Sequence, residues 1–203
     1  GLASNIKEII KLKKKYNFKV IEDCAEGLGL KHNNRYLGSF GDLSTFSFYS
    51  NKLITTGEGG CILTDKKKYF EKCRKLRNLS FGRNERFKHD ELSGNYRMSS
   101  LQCAYGLSEL NNFNKNINLK KKIGFFYNQK LRNLNFLKIP PKKNETSSNI
   151  YWVYPIIVNK KKVVNKTHFQ KFLAKNGIIT RDFFFPLSEQ PFLNKYNIQK
   201  KKL

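Results

Sequence analysis

One lysine among many stands where an amine can do chemistry. Lys52 follows a short apolar run, Leu43 to Phe48, that reads as a buried strand, and it precedes two threonines and the cluster Gly57-Glu58-Gly59-Gly60. Glycines at such a turn let the backbone approach a ligand closely. A strand-end carboxylate, Asp23, lies 29 residues before this lysine, and a hydroxyl, Ser47, lies five before it. An amine, a carboxylate and a hydroxyl at strand ends are what pyridoxal 5′-phosphate asks of a protein. The amine holds the cofactor as a Schiff base and moves protons at the substrate carbon. The carboxylate keeps the pyridine nitrogen protonated, so that the ring draws electrons. Hydroxyls or backbone N–H groups hold the phosphate. The competing reading of Asp23 is a cap on the following turn. Many α/β proteins carry an Asp and a Lys at strand ends, so spacing alone leaves both readings open.

The elements that must position these residues are legible as an α/β pattern. Ile6, Ile9, Ile10 and Leu12 mark a helical face, with Ser4-Asn5 as its cap. Phe18, Val20 and Ile21 predict a short buried strand ending in Glu22-Asp23. Helix then strand is one step of a doubly wound sheet, whose ligands gather at the carboxyl ends of strands. Asn33-Asn34 reads as a turn, residues 42–48 and 59–64 as strands, and Asp65 as the cap of a helix over 66–78, with Phe70, Cys73, Leu76 and Leu79 on its buried face. Residues 80–95 read as a long polar loop. Ser99 or Ser100 caps a long helix whose stripe, Leu101, Ala104, Leu107, Leu110, Phe113 and Ile117, predicts core packing; it runs to about Leu131 with a bend near Asn116. After Pro140-Pro141 the texture changes. A strand over 151–158, a helix over 167–176 stopped by Gly177, and extended pieces at 178–180 and 183–185 describe a small α+β domain. The expected division is a cofactor-binding part over 1–115 and a small domain over 116–203.

Bulk composition narrows the function classes. The 203 residues carry 40 Lys+Arg against 15 Asp+Glu, a net charge of +25. A nucleic-acid-binding protein is the rival reading from another class, with charge as its only support. Eight of the basic residues are Arg and the rest Lys, in triplets spread along the chain (13–15, 66–68, 120–122, 160–162 and 200–202) rather than on one stripe. Base-edge readout leans on Arg, so compositional bias is the favoured account. No run of 18 uncharged apolar residues predicts a membrane span. Cys24, Cys61, Cys73 and Cys103 show no metal-type spacing, His32, His89 and His168 are scattered, and no metal site is expected. A reducing cytoplasm is the expected compartment.

Five motifs then stand in a recognisable order: Val20-Ile-Glu-Asp-Cys-Ala-Glu26, Gly38-Ser-Phe-Gly-Asp42, Phe46-Ser-Phe-Tyr-Ser-Asn-Lys52, Thr56-Gly-Glu-Gly-Gly60 and Gly94-Asn-Tyr-Arg-Met98. In order and spacing they resemble the DegT/DnrJ/StrS-type family of pyridoxal-phosphate-dependent nucleotide-sugar aminotransferases, over nearly the whole chain. The resemblance implies the fold-type I α/β architecture: part of the large domain plus a small α+β carboxy-terminal domain. It also implies roles. Lys52 matches the Schiff-base lysine, Asp23 the carboxylate on the pyridine nitrogen, Glu26 a residue on the ring's 3-hydroxyl side, and Ser47 a phosphate ligand. Asn95 matches a residue that reaches the neighbouring subunit's site, so a homodimer is expected. Arg97 matches an arginine that faces the amino-donor carboxylate. Glu58 is expected to organise backbone.

The segment Gly177 to Leu187 with Gln190-Pro191 resembles the perosamine-synthase branch, which aminates the 4-keto carbon of GDP-4-keto-6-deoxymannose with glutamate as donor. The implied activity is transamination of a keto-sugar nucleotide in surface-polysaccharide or deoxyaminosugar biosynthesis. A catalytically inactive relative is the second rival, and the presence of Lys52 argues against it. The match begins about midway through a family member, without the upstream phosphate loop and ring-stacking aromatic. The sequence is therefore expected to be a fragment truncated at both ends and inactive alone.

Overall fold

The computed structural model describes residues 1–82, 87–159 and 165–196. The lysine triplets at 160–162 and 200–202, and positions 83–86 of the expected polar loop, lie outside the described residues. In chain order the elements are α1 (Ile6–Tyr16), β1 (Ile21–Asp23), β2 (Lys31–His32), β3 (Arg35–Tyr36), β4 (Leu43–Ser47), β5 (Gly60–Leu63), α2 (Lys67–Arg77), α3 (Ser100–Asn111), α4 (Phe113–Leu131), β6 (Leu137–Lys138), β7 (Ile157–Val158) and α5 (Lys166–Lys175), then two short 3₁₀ turns. The chain divides into two compact units. One comprises Gly1–Arg132 with Pro140–Tyr154, the other Asn133–Ile139 with Pro155–Leu203.

In the first unit β4 is central, parallel to β1 and antiparallel to β5. Alternation decides what β1 buries. Val20, Glu22 and Cys24 face inward, while Phe18 and Ile21 are exposed. The expectation that Ile21 is buried fails because alternation turns it away from the face of Val20, Glu22 and Cys24; Phe18, ahead of the strand, is exposed as well. Two buried carboxylates hold this unit. Glu22 accepts backbone N–H groups from Gly38 (2.8 Å), Phe40 (2.7 Å) and Gly41 (2.6 Å). Asp42, before β4, accepts the Val20 N–H at 2.8 Å and pairs with Lys13 of α1 at 2.7 Å and with Lys66 before α2. Burial alone would raise the Asp42 pKa. The Lys13 and Lys66 ammonium groups and the Val20 N–H outweigh it and hold the carboxyl well below the ordinary range.

The core cluster gathers Ala3, Leu30, Ile117 and Ile150, with Leu37, Leu53 and Phe113 against it. Hairpin β2–β3 turns at Asn33-Asn34, both at positive φ (46° and 67°), as a two-residue loop requires. The α3 cap is at Ser99: its hydroxyl accepts the Gln102 N–H while Gln102 returns the bond, a capping box. The helix break falls at Asn112, four residues before the expected bend. Only Phe113 and Ile117 of the long stripe reach the core. Leu101, Leu107 and Leu110 are exposed, because a periodic face specifies amphipathicity and not what covers it. On α2 the cap position is Lys66, not Asp65, with the Thr64 hydroxyl accepting the Lys66 N–H; Phe70 is exposed.

The expected strand over 151–158 shrinks to β7, which pairs with β6 in the second unit. Asn149 Oδ1 captures the Tyr151 N–H at 2.8 Å, and Tyr151 adopts a φ of 50°, which breaks the extended chain. In the second unit α5 ends in a Schellman motif. Gly177 has a φ of 77°, its N–H bonds Ala174, and the Ile178 N–H bonds Leu173. Residues 178–180 and 183–185 are irregular rather than strands, and Asp182 pairs with Lys166 at 2.9 Å. Among the described residues no helix is long and apolar enough to cross a membrane.

Candidate functional site

Strand β4 ends at Ser47, and the chain leaves the sheet until Gly60, which faces Ser47 across the ladder. This excursion is stitched shut at its base. The Phe48 N–H bonds Gly59 at 2.9 Å and the Thr56 N–H bonds Phe48 at 2.8 Å. The Thr56 hydroxyl (2.7 Å) and the Gln102 amide (3.0 Å) both donate to the Glu58 carbonyl. Glu58 thus organises backbone through its main chain. Gly59 has a φ of 141°, and a Cβ there would meet the Thr56 hydroxyl at 2.8 Å, so this position requires glycine. Lys52 sits inside the excursion, its N–H closing a turn onto Tyr49 at 2.9 Å.

The Lys52 amine is brought together with two other expected site residues. Ser47, Lys52 and Glu26 line one narrow cleft, with Ala25, Leu28, Leu53, Lys120, Ile150 and Trp152 completing its walls. Lys52 Nζ lies over the Trp152 ring, 4.2 Å from its centroid. Ser47 Oγ accepts the Tyr49 N–H at 3.3 Å.

Asp23 is placed by register. It closes β1 opposite Thr45 of β4, two residues before the cleft residue Ala25, and its Oδ1 accepts the Ala25 N–H at 3.0 Å. The turn-capping reading of Asp23 therefore holds in this structure, and it leaves the carboxylate exposed at the strand's carboxyl end. The neighbouring Cys24 is buried. Burial, with Glu22 and Asp23 beside it, pushes its thiol up to about 12, so it stays protonated.

Asn95 and Arg97 are not among the residues lining the cleft. Asn95 bridges to Asn78, and Arg97 donates to the Asn78 side chain at 3.3 Å; both are exposed. A larger cavity of about 510 Å³, between hairpin β2–β3, α4 and residues 143–148, shares Ile150 with the cleft but contains none of the expected site residues.

The cleft carries donor types that pyridoxal phosphate uses, around a space of about 10 Å³ that is too small to admit the cofactor as it stands. An amine faces an apolar wall, a hydroxyl and a carboxylate line the same cleft, and a strand-end carboxylate, Asp23, lies two residues before its residue Ala25. Trp152 and Lys120 are the cleft residues that sequence reasoning missed. The available signal was that Trp152 is the only tryptophan in the sequence.

Comparison with known proteins gives the family. The model of the DegT/DnrJ/EryC1/StrS aminotransferase family matches residues 1–203. GDP-perosamine synthase of Escherichia coli is 33% identical over 195 residues, covering 96% of this chain and 52% of that protein. Its Vibrio cholerae counterpart is 35% identical over 191 residues, covering 94% and 52%. The chain thus spans about half the length of the curated relatives it matches. Among solved structures, Helicobacter pylori PseC, an aminotransferase involved in the biosynthesis of pseudoaminic acid, superposes with a TM-score of 0.88 at 24% identity, covering 98% of this chain and 54% of that one. At that identity the likeness concerns the fold, the mixed α/β architecture of sugar aminotransferases. With a family match that runs from end to end, the chain belongs to the DegT/DnrJ/EryC1/StrS aminotransferase family.

Proposed function

We propose that the protein, with pyridoxal 5′-phosphate on Lys52, moves an amino group from glutamate to a keto-sugar nucleotide of the 4-keto-6-deoxyhexose class. The setting is cytoplasmic surface-polysaccharide or deoxyaminosugar synthesis. The observation that carries this reading is the single cleft holding Lys52, Ser47 and Glu26 beside the carboxyl end of β1. Family membership and the perosamine-synthase relatives support the substrate class. When bound, the cofactor supplies an electron sink for the bonds at the substrate carbon.

The chain's own residues do the rest. Lys52 Nζ anchors the cofactor and then carries the proton between the substrate carbon and its acceptor. Asp23 keeps the pyridine nitrogen protonated, and Glu26 contacts the ring's 3-hydroxyl side. The Ser47 hydroxyl holds the phosphate. Arg97 faces the donor carboxylate, and Asn95 completes the site of a second subunit. Leu28, Leu53 and Ile150 keep water from the amine.

Borohydride reduction of the full-length protein, followed by peptide mass spectrometry, tests the anchor. A phosphopyridoxyl adduct on the Lys52 peptide, absent in Lys52→Ala, is expected. An adduct on another lysine would move the site elsewhere.

A further inference from the structure

We propose that the Trp152 indole face is the resting place of the Lys52 ammonium whenever that amine is not bonded to the cofactor, which makes Trp152 a positioning residue for Lys52. The amine is 4.2 Å from the ring centroid, and indole is the strongest aromatic partner for a cation. A carboxylate, Glu26, lines the same cleft, yet the ammonium lies over the ring rather than in an ion pair with it. The difference matters chemically. A carboxylate would hold the proton on the amine and fix its direction. A ring face attracts the cation without accepting its proton, and so leaves the amine free to turn back to the reacting carbon.

The segment around Trp152 is held by side chains of α4, while its ring nitrogen is buried without a hydrogen-bond partner among the described residues. Lys120 Nζ donates to its carbonyl at 3.4 Å. The preceding Tyr151 gives its hydroxyl to the Asn128 amide at 2.9 Å as acceptor, and Tyr154 donates its own to Asn128 Oδ1 at 2.7 Å. Gly124 leaves the space that Tyr151 fills, since a Cβ there would come within 2.3 Å of that ring. Helix α4 therefore fixes the segment on both sides of the indole.

The contact is tested without the cofactor. In cofactor-free full-length protein, the emission lost in Trp152→Phe is that of Trp152 itself. It is compared between wild type and Lys52→Met at neutral pH. The two signals should differ, because Lys52→Met removes the cation from the ring face. Superimposable signals overturn the proposal, whatever the protein catalyses.

The consequence for turnover rests on Lys52 being the cofactor-bearing residue. It is read from the rate at which Lys52 re-forms its bond to added pyridoxal phosphate. Trp152→Leu should slow that rate by about two- to thirty-fold, and Trp152→Phe, which keeps a ring face, should retain most of it. Equal rates in all three proteins overturn the positioning role. Cofactor trapped on a different lysine defeats the proposed function instead, and leaves the fluorescence result to stand or fall alone.

Discussion

Two adjacent carboxylates at the end of β1 have opposite fates, and the strand's period of two is the reason. Glu22 turns inward and binds three backbone N–H groups, while Asp23 turns outward and is exposed. A buried carboxylate that already accepts three N–H donors has little capacity left for a ligand and no open approach to one. An exposed one with a single contact, to Ala25, has both. Asp23→Asn should therefore leave the cofactor bound and lower turnover by roughly 100-fold, because the pyridine nitrogen loses its anionic partner. Absorbance of the bound cofactor and steady-state rates measure the two effects separately. Near-normal turnover would remove Asp23 from the site.

At the scale of elements, the site depends on loops that the sheet holds at their bases. The loop 38–41 hangs on Glu22, and the excursion carrying Lys52 hangs on Phe48, Thr56 and Glu58. Hydrogen bonds to an ionised group are the stronger kind. Glu22→Ala should cost roughly 3 kcal/mol in urea unfolding, since three N–H donors lose their acceptor together. A loss below about 0.5 kcal/mol, the range of ordinary surface changes, would show that the loop is held by its other contacts.

The whole molecule adds electrostatics and assembly. Asp42 ties α1, β1 and the start of α2 through Lys13, the Val20 N–H and Lys66. Its folded pKa is depressed, so its stabilisation is complete above the unfolded value of about 4 and is lost as the pH falls below that. Asp42→Asn should be less stable at neutral pH by about 3 kcal/mol, the low end for a broken buried pair because Lys66 remains half-exposed. It should also lose part of the wild-type decline below about pH 4. Unfolding curves that stay parallel as acid is added would contradict this.

Assembly is tested by mixing. If Asn95 acts in the partner's site, Lys52→Ala and Asn95→Ala are each inactive, and their co-expressed mixture should recover about a quarter of wild-type activity for random two-fold pairing. No recovery on mixing would place Asn95 in its own subunit's site or in none. Several lysines also have local work, as Lys72 and Lys75 do with Glu91 and Asp90. A wholly solvated charge run is therefore not their only role.

Local chemistry in the sequence sufficed for much of this protein. Asn33-Asn34 takes positive φ, Ser99 caps with Gln102, and Gly177 stops α5, because each is settled by a few neighbouring atoms. The motif order was enough to identify the family, and the spacing of Ser47 and Lys52 put two cleft residues in view. What required distant partners was not legible. The burial of Glu22 and Asp42 and the placement of Trp152 beside Lys52 depend on contacts made across long stretches of chain. A side chain's type states what it can bind. Only the tertiary structure decides which groups come within reach, because burial and register are imposed by residues far away in sequence.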